Sequence, residues 1–467
     1  MLNTPSTSST ESLISEFTIE FSKADPCYSW GEVIHGKLSM KCPPSTQLDV
    51  VSVKLQIAGY TRFKGKQRSI KEENYFLKKE RNLLSGPVTY YDGKKEIPFQ
   101  ETLPPDLPTS VETKVGRIGY YLKTTLVYKN KDGSDTTIHA VRGFSMIEDV
   151  DLNVLPKQYF EERNQIVHQK FGLFSCTGGL VRLAIILERS AFVSGEFVTI
   201  TGRIENKSDR RVEKVSAVIQ QRAHCKESPF DKHNDETDVV DVFEESLALF
   251  VDPTVTLKID KKMPIPVLPP STPQDEHSIA NRVSKRRISI GNLRSRPSQL
   301  SLNLSQLSPS RPLSISYSLC FQVKCVGVDN LQICWPIVIG SVPLTSSTVN
   351  NDPQATTHIF KQCKHEKPYD VVHSNSINNI GKTRISYINK YPFFSDLKTS
   401  SKQGKKISLW ANTVRMEHKW LNAVRDKETN KEKKGVMFNA NPVNATYTSQ
   451  ESEDPRRISD VALKIPG

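Results

Sequence analysis

From Phe17 to about residue 155 the chain alternates apolar and polar positions in short runs. Phe17-Thr18-Ile19-Glu20-Phe21 and Val51-Ser52-Val53-Lys54-Leu55-Gln56-Ile57 both keep a period of two. That period predicts antiparallel strands with one face buried. Pro43-Pro44, Asp92-Gly93, Pro104-Pro105 and Asp132-Gly133 interrupt the runs at the intervals of a β-sandwich. Within this stretch only residues 75–84 read as helix-like.

The pattern then occurs a second time. Tyr28-Ser29-Trp30-Gly31-Glu32-Val33 is echoed by Phe192-Val193-Ser194-Gly195-Glu196-Phe197, and Gly31 to Gly195 is an offset of 164 positions. Val50, Val53 and Ile57 recur as Val212, Val215 and Ile219 at 162, and Leu103-Pro104-Pro105 as Leu268-Pro269-Pro270 at 165. Ile118-x-Tyr120-x-Leu122 returns as Ile315-x-Tyr317-x-Leu319 at 197, so the second copy carries roughly 32 extra residues before Ile315. The extra stretch is rich in Ser, Arg, Pro and Asn and has no aromatic residue, a composition that cannot offset the entropy of ordering.

The expected organisation is therefore all-β. A disordered segment, 1–15, precedes a first sandwich over 16–155 and a linker over 156–170. A second sandwich over 171–345 holds a disordered basic insertion at 271–313, and a mostly disordered basic tail covers 346–467. Trp30 and Trp335, each in an apolar strand context, are expected to be buried.

Charge sharpens this division. The net charge is +13, yet Lys and Arg outnumber Asp and Glu by 20 to 12 in residues 346–467 and by 7 to 2 in 271–313, which leaves the remainder neutral at 37 to 37. Basic character belongs to the flexible parts, which favours anionic membranes, acidic partners and kinases over nucleic acid. The apolar runs are much shorter than the roughly 20 residues of a membrane-spanning helix. The opening residues lack the basic and apolar regions of a signal peptide, so an intracellular chain is expected. Its eight cysteines include no CxxC pair, and in a reducing compartment free or buried thiols are expected rather than a zinc site or disulfides. No HExxH, GxSxG or GxxxxGK[ST] string occurs, which argues against catalysis and against a bound metal or cofactor.

A doubled sandwich whose halves both open on an aromatic residue near Gly-Glu resembles the arrestin superfamily, specifically the α-arrestins. The first half carries this in Pro26-Cys27-Tyr28-Ser29-Trp30-Gly31-Glu32-Val33-Ile34-His35-Gly36, Ile97-Pro98-Phe99 and Gly116-Arg117-Ile118-Gly119-Tyr120-Tyr121-Leu122. The second half carries it in Ser190-Ala191-Phe192-Val193-Ser194-Gly195-Glu196, Ile204-Glu205-Asn206-Lys207-Ser208 and Trp335-Pro336-Ile337-Val338-Ile339-Gly340. The resemblance implies immunoglobulin-like sandwiches and a non-enzymatic adaptor in the cytoplasm. Such an adaptor is recruited to plasma membrane or endosomes, where it binds a transporter or receptor and promotes its ubiquitin-dependent endocytosis or sorting. A signalling scaffold in an environmental-response or developmental (for instance meiotic) pathway is the alternative. Members that recruit a HECT-type ubiquitin ligase do so through Pro-Pro-x-Tyr, and no such string occurs here. Ligase recruitment would then be indirect.

The candidate site residues follow. Gly31, Glu32, Gly195 and Glu196 are read as turn organisers, with glycine supplying the backbone conformation and glutamate accepting from turn N–H groups. Ser289 and Ser459, in the repeated string Arg-Arg-Ile-Ser, and Ser386, in Lys-Thr-Arg-Ile-Ser, are candidate sites for a basophilic protein kinase. Phosphates on the insertion would cancel its charge and change its contact with Asp231, Asp235, Glu236, Asp238, Asp241, Glu244 and Glu245. Over 405–425 a helical stripe of apolar residues is flanked by bases, and Lys405, Lys406, Trp410, Arg415, Lys419 and Trp420 are candidates for contact with an anionic membrane surface. Tyr369-Asp370-Val371-Val372 and Tyr391-Pro392-Phe393-Phe394 resemble sorting signals read by extension onto a sheet edge.

Overall fold

A computed structural model describes residues 13–64, 73–170, 179–225, 236–273, 313–325, 331–345, 358–371, 386–395 and 397. Its first sandwich comprises β1 (Glu16–Phe21), β2 (Cys27–Ser29), β3 (Val33–Phe63), β4 (Glu73–Thr102), β5 (Val111–Glu112), β6 (Gly116–Lys129) and β7 (Asp135–Ile147). The strand order is β1-β3-β6-β7-β2, with β4 also on β3 and β5 on β6. Strand β3 serves two parts of the sheet. Up to Cys42 it pairs with β1 and the end of β4, and from Gln47 with the start of β4, with β6 joining from Asp49. The change falls at Pro43-Pro44-Ser45, where two residues without N–H groups and a positive φ of 58° at Ser45 turn the strand.

The second sandwich comprises β8 (Arg163–Lys170), β9 (Leu180–Leu187), β10 (Ala191–Val193), β11 (Phe197–Lys207), β12 (Val212–Cys225), β13 (Glu236–Val251), β14 (Thr256–Pro264), β15 (Leu313–Cys325) and β16 (Leu331–Gly340). Its sheets run β10-β16-β15-β12-β13 and β14-β11-β9-β8. Phe17, Ile19, Val53, Leu55 and Ile57, the inward half of the alternating runs, are buried in the first core, and Val212, Val215 and Ile219 in the second. Trp30 and Trp335 are 6% and 8% exposed. Among the described residues there is no α-helix, and no helix long and apolar enough to cross a membrane.

Four expectations need correction. Residues 75–84 lie in β4, because the favourable cross-strand contacts of Phe76, Leu77, Leu83 and Leu84 on the core outweigh the helix preference of the intervening Lys, Glu and Arg. Half of the expected linker is β8, paired along its whole length with β9 from Arg163↔Leu187 to Lys170↔Leu180. Cys320 and Cys334 form a disulfide: they are register partners on β15 and β16, a proximity that sequence spacing does not show. The tail is not wholly apart from the body, since β17 (Ile359–Gln362), β18 (Tyr369–Asp370), β19 (Ser386–Tyr387) and β20 (Lys390–Phe393) fold against it.

The internal repeat is sharper in space than in sequence. Tyr120 Oη donates to Pro108 O at 2.6 Å and Tyr317 Oη to Pro269 O at 2.8 Å. Ser110 exchanges backbone and side-chain bonds with Met146 as Ser271 does with Ile339. Leu268-Pro269 is therefore the counterpart of Leu107-Pro108, not of Leu103-Pro104, whose Leu103 N–H meets Glu32 O as Ile265 N–H meets Glu196 O. Tyr317 also accepts from Gln221 Nε2 at 3.0 Å. Tyr317→Phe strands the buried Pro269 carbonyl and removes the partner of the part-buried Gln221 amide, so urea unfolding should show a loss of about 1 to 3 kcal/mol.

Candidate functional site: the tail clasp at the domain seam

Each sandwich opens on a Gly-Glu turn. Gly31 and Gly195 take φ of +67° and +98°, conformations that side chains disfavour. Glu32 Oε2 accepts from Ser29 N–H at 3.0 Å and Glu196 Oε2 from Val193 N–H at 2.9 Å, so both carboxylates close their own turns. Glu196 also holds Arg189 at 2.9 Å, while Glu32 pairs with Lys23. The residue before each glycine reaches the same place on its domain: Trp30 Nε1 donates to Leu107 O at 2.6 Å and Ser194 Oγ to Leu268 O at 3.4 Å.

A seam joins the two domains. Leu152 N–H donates to Val342 O at 3.1 Å and Ser341 N–H to Val150 O at 3.0 Å, while Ser341 Oγ donates to Glu148 O at 2.8 Å. Over this seam lies a small apolar cluster of Leu152, Ala191, Val193 and Phe394. Phe394 comes from the tail, and its N–H donates to Ser194 O at 3.0 Å. The tail thus docks on the second Gly-Glu turn, whose glycine it approaches so closely that a Cβ there would stand 2.1 Å from Phe394 O; a Cβ at Gly31 would meet nothing within 4 Å.

From that point the tail runs back over the first sandwich. Lys390 N–H donates to Ser145 Oγ at 3.0 Å, Lys390 Nζ pairs with Asp25, and the Tyr387 ring lies on Gly143. Tyr369 stacks under the Arg117 guanidinium, 4.1 Å from ring centre, and Arg117 is itself paired with Glu112. Within the clasp sits the buried carboxyl of Glu366. Its Oε1 lies 2.6 Å from Tyr391 Oη and 3.3 Å from Glu112 N, and its Oε2 accepts from Asn389 Nδ2 at 3.0 Å. Asn389 Oδ1 in turn accepts from Tyr369 Oη at 2.8 Å. Burial pushes Glu366 up to about 7 against the opposing hydrogen bonds from Tyr391, Asn389 and Glu112 N–H. Burial likewise pushes the Cys27 and Cys363 thiols up to about 12, so neither is a thiolate nucleophile near neutrality.

The candidate residues fall into separate places. Gly31 and Glu32 shape a turn of the first sandwich, whereas Gly195 and Glu196 shape the turn on which the tail sits. Ser386 is exposed on the clasp, opposite Asp370. Ser289, Ser459, Lys405, Lys406, Trp410, Arg415, Lys419 and Trp420 lie outside the described residues, as do Asp231 and Asp235. Glu236, Asp238, Asp241, Glu244 and Glu245 line β13, the last strand of its sheet, where Lys114 and Lys214 meet Asp238 and Glu244. The two tyrosine strings need correction. Tyr369 and Tyr391 are 4% and 0% exposed, so both are anchors of the clasp and neither is presented to a sorting reader in this state. Sequence reasoning missed Glu366, Asn389 and Arg117. The available signal was the density of aromatics at 387–394 inside an otherwise polar tail.

Comparison with known proteins agrees with this architecture. The family described as arrestin (or S-antigen), N-terminal domain, matches residues 17–153, and its C-terminal domain counterpart matches 177–344. The chain is 23% identical to mouse arrestin domain-containing protein 4 over 357 residues, 72% of this chain and 74% of that protein. It is 22% identical to Caenorhabditis elegans arrestin domain-containing protein 17 over 361 residues, 73% and 74% of the two chains. Against human arrestin domain-containing protein 4 the identity is 28% over 142 residues, 30% and 32% of the two chains. With an arrestin N-terminal domain followed by an arrestin C-terminal domain, and with these relatives matched over most of its length, the chain belongs to the arrestin family, among its arrestin domain-containing α-arrestins.

Proposed function

We propose that the chain is a non-enzymatic adaptor that binds a membrane-protein cargo, a transporter or receptor, and promotes its ubiquitin-dependent endocytosis or sorting. The observation that carries this reading is the paired arrestin body over residues 17–344. No Pro-Pro-x-Tyr string occurs in the sequence, so a HECT-type ligase would be reached through a partner arrestin or a nonstandard contact. The adaptor works from the cytoplasm at plasma membrane or endosomes, and the basic residues of 405–425 contribute contact with anionic lipid. A protein kinase acting at Ser289, Ser386 or Ser459 adjusts that contact by adding negative charge.

Proximity labelling with the full chain fused to a biotin ligase tests the reading. Enrichment of a plasma-membrane transporter or receptor together with a HECT ligase is the expected result, and deletion of the gene should leave that cargo at the surface. A labelled set of kinases and pathway components, with surface cargo unchanged on deletion, would instead establish the scaffold reading.

A further inference from the structure

We propose that the tail clasp is a proton-controlled latch: protonation of Glu366 keeps the tail seated across the first sandwich and the domain seam, and ionisation loosens it. The geometry at Tyr391 is the reason. Its hydroxyl lies 2.9 Å from Ser110 O and 2.6 Å from Glu366 Oε1, and it has one proton to give. When Glu366 is ionised, both neighbours are acceptors and one must forgo that proton. When Glu366 is protonated on Oε1, it donates to Tyr391 Oη, and Tyr391 donates onward to Ser110 O. Oε2 still accepts from Asn389, and Glu112 N–H still faces Oε1. The neutral acid therefore completes a chain of bonds from tail to body that the carboxylate leaves short, and it avoids burying a charge.

Among the described residues no neighbouring group supplies a counter-charge that would reverse this. Arg117, from β6, is held by Glu112 of β5, which also pairs with Lys64. The other facing groups are Tyr317 of β15, Cys363 in the same loop, Tyr369 of β18 and Tyr391 of β20, and burial holds all four in their neutral forms. Lys364, His365 and Lys367 are on the exposed side of the Glu366 loop. His358, against Phe360 and Phe394, is the other imidazole on the clasp.

The sign follows from linkage. An undocked tail ionises Glu366 near its ordinary 4.5, whereas the docked tail does so near 7. The stabilisation is complete below the lower value, declines as pH rises between the two, and is lost above the higher one. Between pH 5.5 and 8 the undocked population should rise on the order of 20-fold.

Hydrogen exchange on the full chain, with protection corrected for the intrinsic pH dependence of exchange, reads this at the Lys390 and Phe394 amides. Protection there should fall by that factor from pH 5.5 to 8 while a core peptide in β15 stays constant. Glu366→Gln, whose amide N–H mimics the neutral acid toward Tyr391, should hold protection at both pH values. His358→Gln should retain the wild-type response. A pH-independent wild type, a Gln variant that keeps the slope or leaves the tail unseated at pH 5.5, or a slope abolished by His358→Gln would each overturn the latch.

Discussion

Trp30→Ala is expected to lower the unfolding free energy by about 3 to 5 kcal/mol, in the range for truncating a buried tryptophan. Two losses combine. The indole fills a place in the first core, and its Nε1–H satisfies Leu107 O at the turn before β5. Trp30→Phe separates them: it keeps most of the volume and leaves the carbonyl short, so about 1 to 3 kcal/mol should be lost. Trp335, edge-on to Phe321 with ring centroids 5.6 Å apart, gives the comparison in the second core. Chemical denaturation followed by circular dichroism measures all three. A Trp30→Ala loss under about 1 kcal/mol would mean that the indole is not a packed element of the core.

Much of the architecture was legible because burial in a sandwich is written with a period of two, and a repeated sandwich writes it twice. Val53 with Val215 and Tyr120 with Tyr317 appear in the sequence as spacing and in the structure as equivalent buried positions. What was hidden depends on contacts between residues distant in the chain. Residues 75–84 have a helix-forming composition, and their partner β3 decides the outcome through pairing that composition does not report. Leu103-Pro104-Pro105 matches Leu268-Pro269-Pro270 letter for letter, yet the tyrosine hydroxyls choose Pro108 and Pro269. Cys320 and Cys334 are fourteen residues apart and adjacent only across strands.

The clasp was the least legible element. Its two segments are short, and the chain around them is polar, so a composition argument assigns most of the tail to disorder and does not single them out. A few anchors suffice here because the body already fixes the positions of their partners. Tyr387 enters where Gly143 leaves room, and Tyr391 meets Ser110, a residue whose position is set by its bonds to Met146. Glu366 could not be singled out in a region with twelve acidic residues, because its distinction is the enclosure around it, which only the folded tail creates.

The two Gly-Glu turns allow a controlled experiment on that tail. Gly31→Ala and Gly195→Ala both force a Cβ into a left-handed backbone, and each should cost about 1 to 3 kcal/mol in strain. At Gly31 nothing more happens, because the space beyond the turn is open. At Gly195 the new methyl would stand 2.1 Å from Phe394 O, 2.9 Å from its carbonyl carbon and 3.0 Å from its nitrogen, all backbone atoms that no rotamer change can move. The tail must therefore leave, taking with it the Phe394 N–H bond to Ser194 and the apolar contact with Leu152 and Val193. Hydrogen exchange should show the Lys390 and Phe394 amides protected in Gly31→Ala and unprotected in Gly195→Ala. In a chain truncated after residue 357 the remaining difference between the two substitutions should shrink to the difference in backbone strain alone. If Gly195→Ala keeps those amides protected, the second turn is a neighbour of the tail and not the surface that holds it.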